Sequence, residues 1–363
     1  MEIRSQHYPS HPETGIKSVE TEPALPLPRE HHDHHAVFHR FARWSGLVEA
    51  GVEVDFLGTR YQTKYFAMLP SRQRAREETT EYPAFDEEYF EWIDLLESVM
   101  EAKERFTMME LGAGWGRWTA RGAAAARQRG IGYSLVAVEA EPTHFAWLVE
   151  NLRDNGVRLE DCSLLRAAVT GADGSVGFHV GDAASSYGQC IGGPVAVASK
   201  SLATLLENHD LVDLIDMDVQ GAELEILAAG VAPLRKKVRR VHVETHSRQL
   251  HREIQELFTR LGWHRHFLFE GNTGDQTPWG RVNFQAGVQS WLNPALHTKR
   301  ELRKAGTFGN SLGFKTIQTG RRIMDSIAPI GTQRRALVRF ALSGAAGKFQ
   351  RDAEDGSRRP MDW

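Results

Sequence analysis

Apolar residues recur along the middle of this chain with two alternating periods. Short runs of apolar and β-branched residues, typical of buried strands, alternate with longer segments whose apolar positions follow a helical spacing. Strands that alternate with helices in this way predict an α/β fold with a doubly wound parallel sheet. The predicted strands lie at residues 106–109, 133–138, 163–169, 211–219 and 238–244.

Capping residues set the ends of the predicted helices. Pro142 and Gly156 bound one helix, and Ser247 and Gly262 bound another. The other predicted elements are helices at 117–127 and 222–229, a turn at 172–174, a returning hairpin strand at 175–180, and terminal strands at 264–270 and 282–289.

A further amphipathic helix is predicted before the first strand of the sheet, at residues 85–102. Its apolar face is formed by Tyr89, Trp92, Ile93, Leu96 and Val99. Because these residues satisfy helical spacing, they are interpreted as part of the hydrophobic core. The helix would lie over the sheet or over the mouth of a binding site at its edge. The predicted domains are a disordered tail (1–35), an N-terminal helical cap (36–105), the α/β domain (106–296) and a basic C-terminal tail (297–363).

Composition narrows the classes of protein. The chain has 363 residues, 41% of them hydrophobic, and a formal net charge of −3, so no global field attracts nucleic acid and no specific nucleic-acid partner is expected. Only Cys162 and Cys190 are present, which argues against a disulfide framework. No apolar run is long enough for a transmembrane helix, and residues 1–15 lack a signal-peptide core. A cytoplasmic location is therefore expected, whereas the oligomeric state is left open.

Both ends of the chain differ from its middle. Residues 1–35 are rich in Pro, Glu and His, and their HHDHH run at 31–35 is either a metal-binding segment or a solvated tail. Residues 297–351 contain twelve Lys or Arg and only two acids, with apolar residues between them. This segment is either an amphipathic appendage for an anionic membrane surface, a partner or RNA, or a solvated tail that folds back on the body.

The sequence ELGAGWG at residues 110–116 carries the first chemical signal. It follows a predicted strand and precedes a predicted helix, an arrangement that binds adenosine-bearing ligands. Arg117 occupies the position where a dinucleotide-binding fold needs its third glycine, which disfavours an NAD-dependent oxidoreductase. Glu110, just before the first glycine, is placed to bind a positively charged amine. S-adenosylmethionine carries such an amine and no phosphate.

A second signal is Glu139, which lies 23 positions after Gly116 at the end of the next predicted strand. A carboxylate at this place can accept hydrogen bonds from both hydroxyls of a ribose.

Acidic residues and a histidine end the next two strands. Asp216 and Asp218 close one strand, and Glu244 and His246 close its neighbour. Because ligands of open α/β sheets bind beyond the carboxyl ends of the strands, we expect Asp218 to face the reacting atoms. Asp218 or His246 would accept a substrate proton. A weaker option is a Mg²⁺ ion held by Asp216, Asp218 and Glu244.

Three motifs, ELGAGWG, VAVEAEP and above all DMDVQGAELEIL, resemble the FkbM family of S-adenosylmethionine-dependent methyltransferases. The resemblance covers about residues 105–270 and implies the Rossmann-like sheet of class I methyltransferases. Two positions depart from the family pattern: Gln220 replaces a common acidic residue, and Asp216 stands where many members have lysine.

The resemblance implies a role for each residue that matches a family motif. Glu110, Gly112, Gly114, Trp115, Gly116, Arg117 and Trp118 would hold the methionine part of the cofactor. Glu139 would hold the ribose, and Ala140 and Ala167 would lie by the adenine. The polar loop after the hairpin, with Ser186 and Tyr187, is either a contact to cofactor or acceptor or an ordinary surface loop.

Family members are mostly O-methyltransferases, so the resemblance implies methylation of a hydroxyl on a sugar, glycolipid or secondary metabolite. The expected partners are therefore a small-molecule or glycan acceptor, with peripheral membrane contact through the basic tail. A binding or scaffold protein that uses the same fold without catalysis is the alternative, since fold does not determine function.

Overall fold

The structure is a computed structural model that describes residues 33–67, 73–184 and 187–309. The prediction of a disordered tail falls on residues that mostly lie outside these ranges, as does the basic segment beyond residue 309.

The N-terminal region combines short strands with one long helix. The strands form two antiparallel pairs, β1 with β4 and β2 with β3. The elements are β1 (Ser45–Val48), β2 (Val52–Val54), β3 (Arg60–Gln62), β4 (Arg76–Thr79) and α1 (Glu88–Glu101), with 3-10 turns at Phe38–Arg40 and Thr63–Tyr65. The predicted helix is confirmed, but the strands were not predicted because they are only three or four residues long.

The rest of the described chain alternates strands and helices. In order, its elements are β5 (Arg105–Leu111), α2 (Arg117–Gln128), β6 (Gly132–Glu139), α3 (Pro142–Asp154), β7 (Cys162–Arg166), β8 (Ala168–Thr170), β9 (Gly174–Phe178), β10 (Val195–Ser201), α4 (Leu202–Leu205), β11 (Val212–Met217), α5 (Glu223–Ala229), α6 (Val231–Lys237), β12 (Val238–Thr245), α7 (Arg248–Arg260), β13 (His264–Phe269), β14 (Thr273–Thr277), β15 (Gly280–Phe284), β16 (Gly287–Leu292), α8 (Lys299–Ala305) and β17 (Phe308–Gly309).

Eight strands form the central sheet in the order β17-β13-β16-β12-β11-β5-β6-β7. Strand β16 runs antiparallel to both of its neighbours, and the other pairs are parallel. The chain starts at the centre with β5, moves outward to β7, and returns to β11 on the other side of β5. This reversal creates a switch point between β5 and β11, where open α/β sheets bind ligands. The predicted doubly wound sheet is thus confirmed.

Helices α3 and α7 begin where the sequence predicts. The Glu141 carboxylate accepts the N–H of His144, with Pro142 at the first helical position of α3. The Ser247 hydroxyl accepts the N–H of Leu250 at the start of α7.

Two predicted strand assignments are wrong in detail. The strand predicted at 163–169 is divided: β7 stays in the central sheet, and β8 pairs in parallel with β10. The hairpin partner of β9 is β10, which lies between β8 and β9 and was not predicted. The strand predicted at 282–289 is likewise two strands, since β15 pairs with β14 and β16 joins the central sheet.

Helix α1 is anchored to the sheet by buried charges as well as by its apolar face. Asp94 on α1 is fully buried, and its carboxylate lies 2.6 Å from an Nη1 of Arg240 and 2.8 Å from His242 Nδ1 on β12. Breaking one partner of such a buried pair costs about 3–5 kcal/mol. The ion pair therefore fixes where α1 crosses the sheet, and with it one wall of the site described below.

Among the described residues, no helix combines the length and the apolar character that crossing a bilayer requires.

Candidate active site

The glycine turn joins β5 to α2 and brings its backbone against the next strand ends. Gly112, Gly114 and Gly116 have φ values of 85°, 53° and 73°, in the left-handed region that favours glycine. A Cβ at position 112 would lie 1.8 Å from the carbonyl oxygen of Asp218. No side chain fits there, so the turn and the end of β11 are held in direct backbone contact.

Glu110 is directed at the start of α2. Its carboxylate accepts the N–H groups of Trp118 (3.2 Å) and Thr119 (2.8 Å) and the Thr119 hydroxyl. Desolvation, followed by the charge of Asp216, raises the pKa of Glu110 to about 8. The sequence predicted that Glu110 binds a ligand amine, whereas in the structure its oxygens satisfy helix N–H groups.

Glu139 ends β6 and faces the glycine turn. Its two carboxylate oxygens accept the N–H of Gly114 (2.7 Å) and the N–H of Glu141 (2.6 Å). Burial raises the pKa of Glu139 to about 7. The residue therefore ties the two predicted motifs together at one edge of the sheet.

A first cleft, named here the strand-end cleft, contains about 580 Å³ of empty space, part of it open to solvent, at the carboxyl ends of β5, β6 and β11. His144 and Tyr187 stack with ring centroids 4.3 Å apart and form one side of it. Its lining residues are Gly112, Gly114, Val138, Glu139, Ala140, His144, Ala167, Ala168, Val169, Phe178, Tyr187, Gln189, Ile191, Asp218, Val219 and Gln220.

A second and larger cleft, the acidic cleft, encloses about 2250 Å³ of empty space that opens to solvent. Its walls come from the N-terminal region, α1, α2 and the strand ends. Eleven carboxylates line it: Asp55, Glu78, Glu81, Asp86, Glu87, Glu88, Glu91, Glu110, Asp216, Asp218 and Glu244. Arg117 and Arg121 balance part of this charge by pairing with Glu88 and Asp55.

The two clefts share a junction formed by Gly112, Gly114, Tyr187, Asp218 and Gln220. A group bound in one cleft can therefore reach a group bound in the other at these residues.

Trp115 and Trp118, two tryptophans in the wall of the acidic cleft, pack against aromatic residues. Trp115 stacks on Tyr65 at 5.5 Å, and Trp118 packs edge-on against Trp92 of α1 at 5.3 Å. The Arg121 guanidinium lies 4.2 Å from the centre of the Trp118 ring. Trp115, Arg117 and Trp118 thus line the acidic cleft and not the strand-end cleft.

Asp218, Glu244 and His246 meet at the ends of β11 and β12. His246 Nε2 lies 3.4 Å from Asp218 Oδ1 and 3.5 Å from Glu244 Oε1. The Gln220 side-chain nitrogen lies 2.7 Å from Asp218 Oδ1 and 2.9 Å from His246 Nε2. Gln220 has a φ of 55°, a conformation that residues other than glycine adopt rarely and that is concentrated at functional sites.

The charges in this group act on one another. Desolvation lowers the pKa of His246, but the carboxylates of Glu223, Glu244 and Asp218 outweigh it and raise that pKa to about 11. Desolvation and then the charge of Glu244 raise the pKa of Asp218, although 40% of its side chain remains exposed. The carboxylates around His246 therefore favour its protonated form, which makes Asp218 the stronger candidate for the base.

Asp216 lies apart from this group. Its carboxyl shares a hydrogen bond with that of Glu91 on α1, and desolvation raises the pKa of both. The metal-ligand set predicted from the sequence therefore changes: His246 takes the place of Asp216 among the donor atoms that lie within 4.8 Å of one another.

Other predicted residues are placed as follows. Ala140 and Ala167 line the strand-end cleft as expected, and Gly116 packs on Leu148 outside both clefts. Ser186 lies outside the described residues. His34 and His35 of the HHDHH run contact Phe85 and Tyr89.

Sequence reasoning missed His144 and the acids of α1. His144 lies on the buried side of α3. The capping residues and the apolar spacing of that helix predict its structure but do not indicate a binding residue. The missed acids lie at the start of α1: Glu87 precedes the helix, and Glu88 and Glu91 lie in its first turn. Their helical spacing, opposite the apolar face, could have indicated that they share one surface.

Comparison with known proteins shows what part of this chain is similar to. Residues 110–265 match the family model of the methyltransferase FkbM domain. A curated protein of Jannaschia sp. (strain CCS1) with a provisional methyltransferase name is 25% identical over 239 residues, which cover 61% of this chain and 86% of that protein.

Solved structures with a similar arrangement are distant in sequence. Methyltransferase FkbM from Methylobacillus flagellatus KT aligns with a TM-score of 0.35 and 13% identity, over 52% of this chain and 44% of its own. The precorrin-6y C5,15-methyltransferase from Geobacter metallireducens GS-15 aligns with a TM-score of 0.35 and 12% identity, over 56% of this chain and 86% of its own.

Proposed function

Because residues 110–265 form a methyltransferase domain of the FkbM family, we propose that the chain transfers the methyl group of S-adenosylmethionine to a hydroxyl group. The proposed acceptor is a sugar, a glycolipid or another secondary metabolite. The observation that carries this proposal is the junction of the two clefts at Gly114, Asp218 and Gln220. It provides two binding spaces that meet beside a carboxylate.

The strand-end cleft suits the cofactor. The buried Glu139 carboxylate can accept hydrogen bonds from the ribose hydroxyls if it releases one of its backbone partners. Ala140, Ala167 and Phe178 offer apolar surface for an adenine. A side chain at position 114 would point at Tyr187, 3.3 Å away, so glycine keeps this space open. S-adenosylmethionine, when bound, supplies an activated methyl group.

The acidic cleft suits a large acceptor that is rich in hydroxyl groups. Carboxylates accept hydrogen bonds from hydroxyls, and Glu87, Glu91 and Asp218 all line this cleft. Binding both reactants at the junction would supply much of the rate enhancement through positioning.

Asp218 is the proposed base. A hydroxyl must lose its proton as the methyl group would leave sulfur and form the new C–O bond, and a carboxylate whose pKa is raised accepts a proton more readily. The imidazolium of His246, 3.4 Å away, would stabilise the ionised form of Asp218. In this scheme His246 positions and polarises the base.

The basic segment within 297–363 is retained as a proposed contact with an anionic membrane surface. It contains Lys and Arg between apolar residues, the composition of peripheral membrane segments. Contact of this kind would hold the chain at a membrane that carries a lipid-linked acceptor.

The proposal is tested by separating cofactor binding from transfer. Isothermal titration should show binding of S-adenosylhomocysteine and none of NAD. Methyl-labelled S-adenosylmethionine, incubated with a panel of glycosides and glycolipids, should yield products heavier by one CH₂. Gly114→Val should abolish binding while far-UV circular dichroism is retained, because a β-branched residue fills the cleft.

Binding of S-adenosylhomocysteine without transfer to any hydroxyl of the panel, or transfer to nitrogen, would reject the proposed reaction. The first result would favour the non-catalytic alternative.

A further inference from the structure

The group at the ends of β11 and β12 mixes oxygen and nitrogen donors. Asp218, Glu244 and His246 each offer one donor atom, and these atoms all lie within 4.8 Å of one another. Glu244 and His246 are two positions apart at the end of β12, and β11 and β12 are parallel neighbours. The carboxyl ends of adjacent strands therefore bring the three side chains to one point.

The spacing of these atoms differs from that of hydrogen-bonded ion pairs. Hydrogen bonds between N–H and O join atoms about 2.7–3.2 Å apart. His246 Nε2 instead lies 3.4 Å from Asp218 Oδ1 and 3.5 Å from Glu244 Oε1. Metal bonds of about 2.1 Å at tetrahedral angles separate their ligands by about 3.4 Å. The two pairs that include His246 thus stand at the spacing of neighbouring ligands around one ion, and all three donor atoms lie within 4.8 Å of one another.

A buried carboxylate lies behind the imidazole. Glu223 has no exposed side-chain surface, and its Oε1 lies 3.6 Å from His246 Nδ1. Glu223 Oε2 and His246 Nδ1 have no hydrogen-bond partner within the described part of the chain. Histidines that bind metals commonly direct their second nitrogen at a carboxylate, which fixes the tautomer and the ring orientation. Glu223 occupies that position.

Gln220 supplies a fourth group at the same point. Its side-chain nitrogen lies 2.7 Å from Asp218 Oδ1 and 2.9 Å from His246 Nε2. Rotation of the amide by half a turn exchanges nitrogen for oxygen at this place. Oε1 of Gln220 can therefore complete the donor set.

We propose that Asp218, Glu244 and His246 bind one divalent transition-metal ion, with Glu223 orienting the imidazole. A donor set that contains an imidazole nitrogen favours Mn²⁺, Fe²⁺ or Zn²⁺ over Mg²⁺, which replaces the Mg²⁺ expected from the sequence. Asp218 and Glu244 are 40% and 35% exposed to the cleft, so the ion would keep open positions. With the ion bound, His246 would be a neutral ligand and Asp218 would no longer be a free base, so the ion would hold the acceptor hydroxyl and lower its pKa in place of that base. This use of the ion rests on the proposed function, but its binding does not.

The test measures Mn²⁺ binding directly. The full chain carrying His31→Ala and His32→Ala, which removes two histidines of the HHDHH run, is titrated with Mn²⁺ while the electron paramagnetic resonance signal of free Mn²⁺ is recorded. We expect one saturable site per chain. Zn²⁺ should displace Mn²⁺ at equimolar concentration, and Mg²⁺ should not, as the Irving–Williams order and the nitrogen donor require.

Variants locate the site. Asp218→Asn and His246→Gln should each weaken Mn²⁺ binding by more than about tenfold, and Glu223→Gln by about 10–100-fold, since it removes the group that orients the imidazole. Asp216→Asn is the matched control, because its carboxyl contacts Glu91 and not the group, and it should change affinity by less than about threefold. Circular dichroism checks that each variant is folded.

Gln220→Glu gives a test that loses no ligand. It adds a carboxylate beside the ion and should tighten Mn²⁺ binding. The proposal is overturned if Mn²⁺ does not saturate one site, if Asp218→Asn and His246→Gln bind as the parent does, or if Asp216→Asn weakens binding as much as they do. A chain that binds Mn²⁺ at this site but methylates no hydroxyl would leave this inference standing and reject only the proposed reaction.

Discussion

The two clefts that meet at Asp218 are built in different ways. The strand-end cleft is lined by residues that end or follow β5, β6, β7 and β11, and by residues of α3, β8, β9 and the loop before β10. Three of its polar residues, Glu139, Asp218 and Gln220, lie within short sequence motifs. The acidic cleft joins those strand ends to α1 and to residues 54–91, which precede the sheet in the chain. Part of the strand-end cleft can therefore be recognised from sequence motifs. The acidic cleft forms only after segments that are distant in the chain have packed together.

Under the proposed function, the two clefts have different tasks. The strand ends and the glycine turn would bind the cofactor, whereas the segments that precede the sheet would select the acceptor. Changes on the acceptor side should therefore alter turnover, and changes on the cofactor side should alter binding or folding.

The largest effect is expected at the junction. Asp218→Asn should lower turnover by about 10²–10⁴-fold, the range for loss of a general base, and should leave affinity for S-adenosylhomocysteine within about threefold. The reason is that asparagine keeps the size of the side chain but cannot accept the proton. Initial rates and isothermal titration on the same sample provide the measurement.

Asp216→Asn is the control for that change. Its carboxyl contacts Glu91 on α1, so it should reduce turnover less than Asp218→Asn does. Equal losses in the two variants would mean that general negative charge, and not a base at position 218, governs the rate.

The second prediction concerns the backbone contact between the turn and β11. Gly112→Ala should reduce the free energy of unfolding by about 2–5 kcal/mol, since it combines a left-handed φ with overpacking. Gly130 has a φ of 69° and nothing within 4 Å of an added Cβ, so Gly130→Ala should cost only the left-handed conformation, about 1–2 kcal/mol. Urea-induced unfolding compares the two. Similar losses would show that the turn can move away from Asp218.

The third prediction is confined to the cofactor side. Glu139→Ala should weaken binding of S-adenosylhomocysteine by about 1.5–3 kcal/mol, because a charged acceptor for the ribose hydroxyls is lost. Glu139→Gln keeps one acceptor oxygen and should lose less. Calorimetric titration and thermal unfolding of both variants separate binding from folding. An unchanged dissociation constant in Glu139→Ala would remove Glu139 from the site.

The smallest effect is expected from pH. Burial raises the pKa of Glu139 from 4.5 to about 7, so the folded chain holds its proton more tightly than the unfolded chain. The tighter proton binding by Glu139 adds to the free energy of unfolding. This contribution is complete below pH 4.5 and is lost as the pH rises towards 7. Ribose binding needs the carboxylate, so affinity for S-adenosylhomocysteine should rise about tenfold between pH 6 and 8.

Glu139→Gln should remove most of this pH dependence. Any slope that remains would report Glu110, whose pKa is raised to about 8 by burial and by Asp216. A full tenfold change in the variant would assign the titration to a group other than Glu139.

The sequence alone determined the parallel sheet, the glycine turn and the position of Glu139. Each of these depends on residues that are near one another in the chain: apolar runs, glycines that need a left-handed φ, and a polar residue directly after a strand. The helix at Glu88–Glu101, Pro142 at the start of α3 and the cap at Ser247 were predictable for the same reason.

Only the tertiary structure decided which side chains meet. The sequence predicts Glu110 and Asp216 as ligand-binding acids, which stays a prediction. The structure adds that the Glu110 carboxylate accepts N–H groups at the start of α2 and that the Asp216 carboxyl shares a hydrogen bond with Glu91. Strand β10 intervenes between β8 and β9, because a strand's partner is chosen by hydrogen bonding and burial across the sheet and leaves no mark within its own residues.

The tertiary structure also decided how the charged residues around the acidic cleft are grouped. Asp94 and Arg240 are 146 positions apart and form a fully buried ion pair that sets α1 over the sheet. His246 joins Asp218 because β11 and β12 are neighbours, and the carboxylates around it raise its pKa to about 11. Coulombic interaction depends on distance and dielectric in space, so the protonation and the grouping of these residues became defined only when the chain had folded.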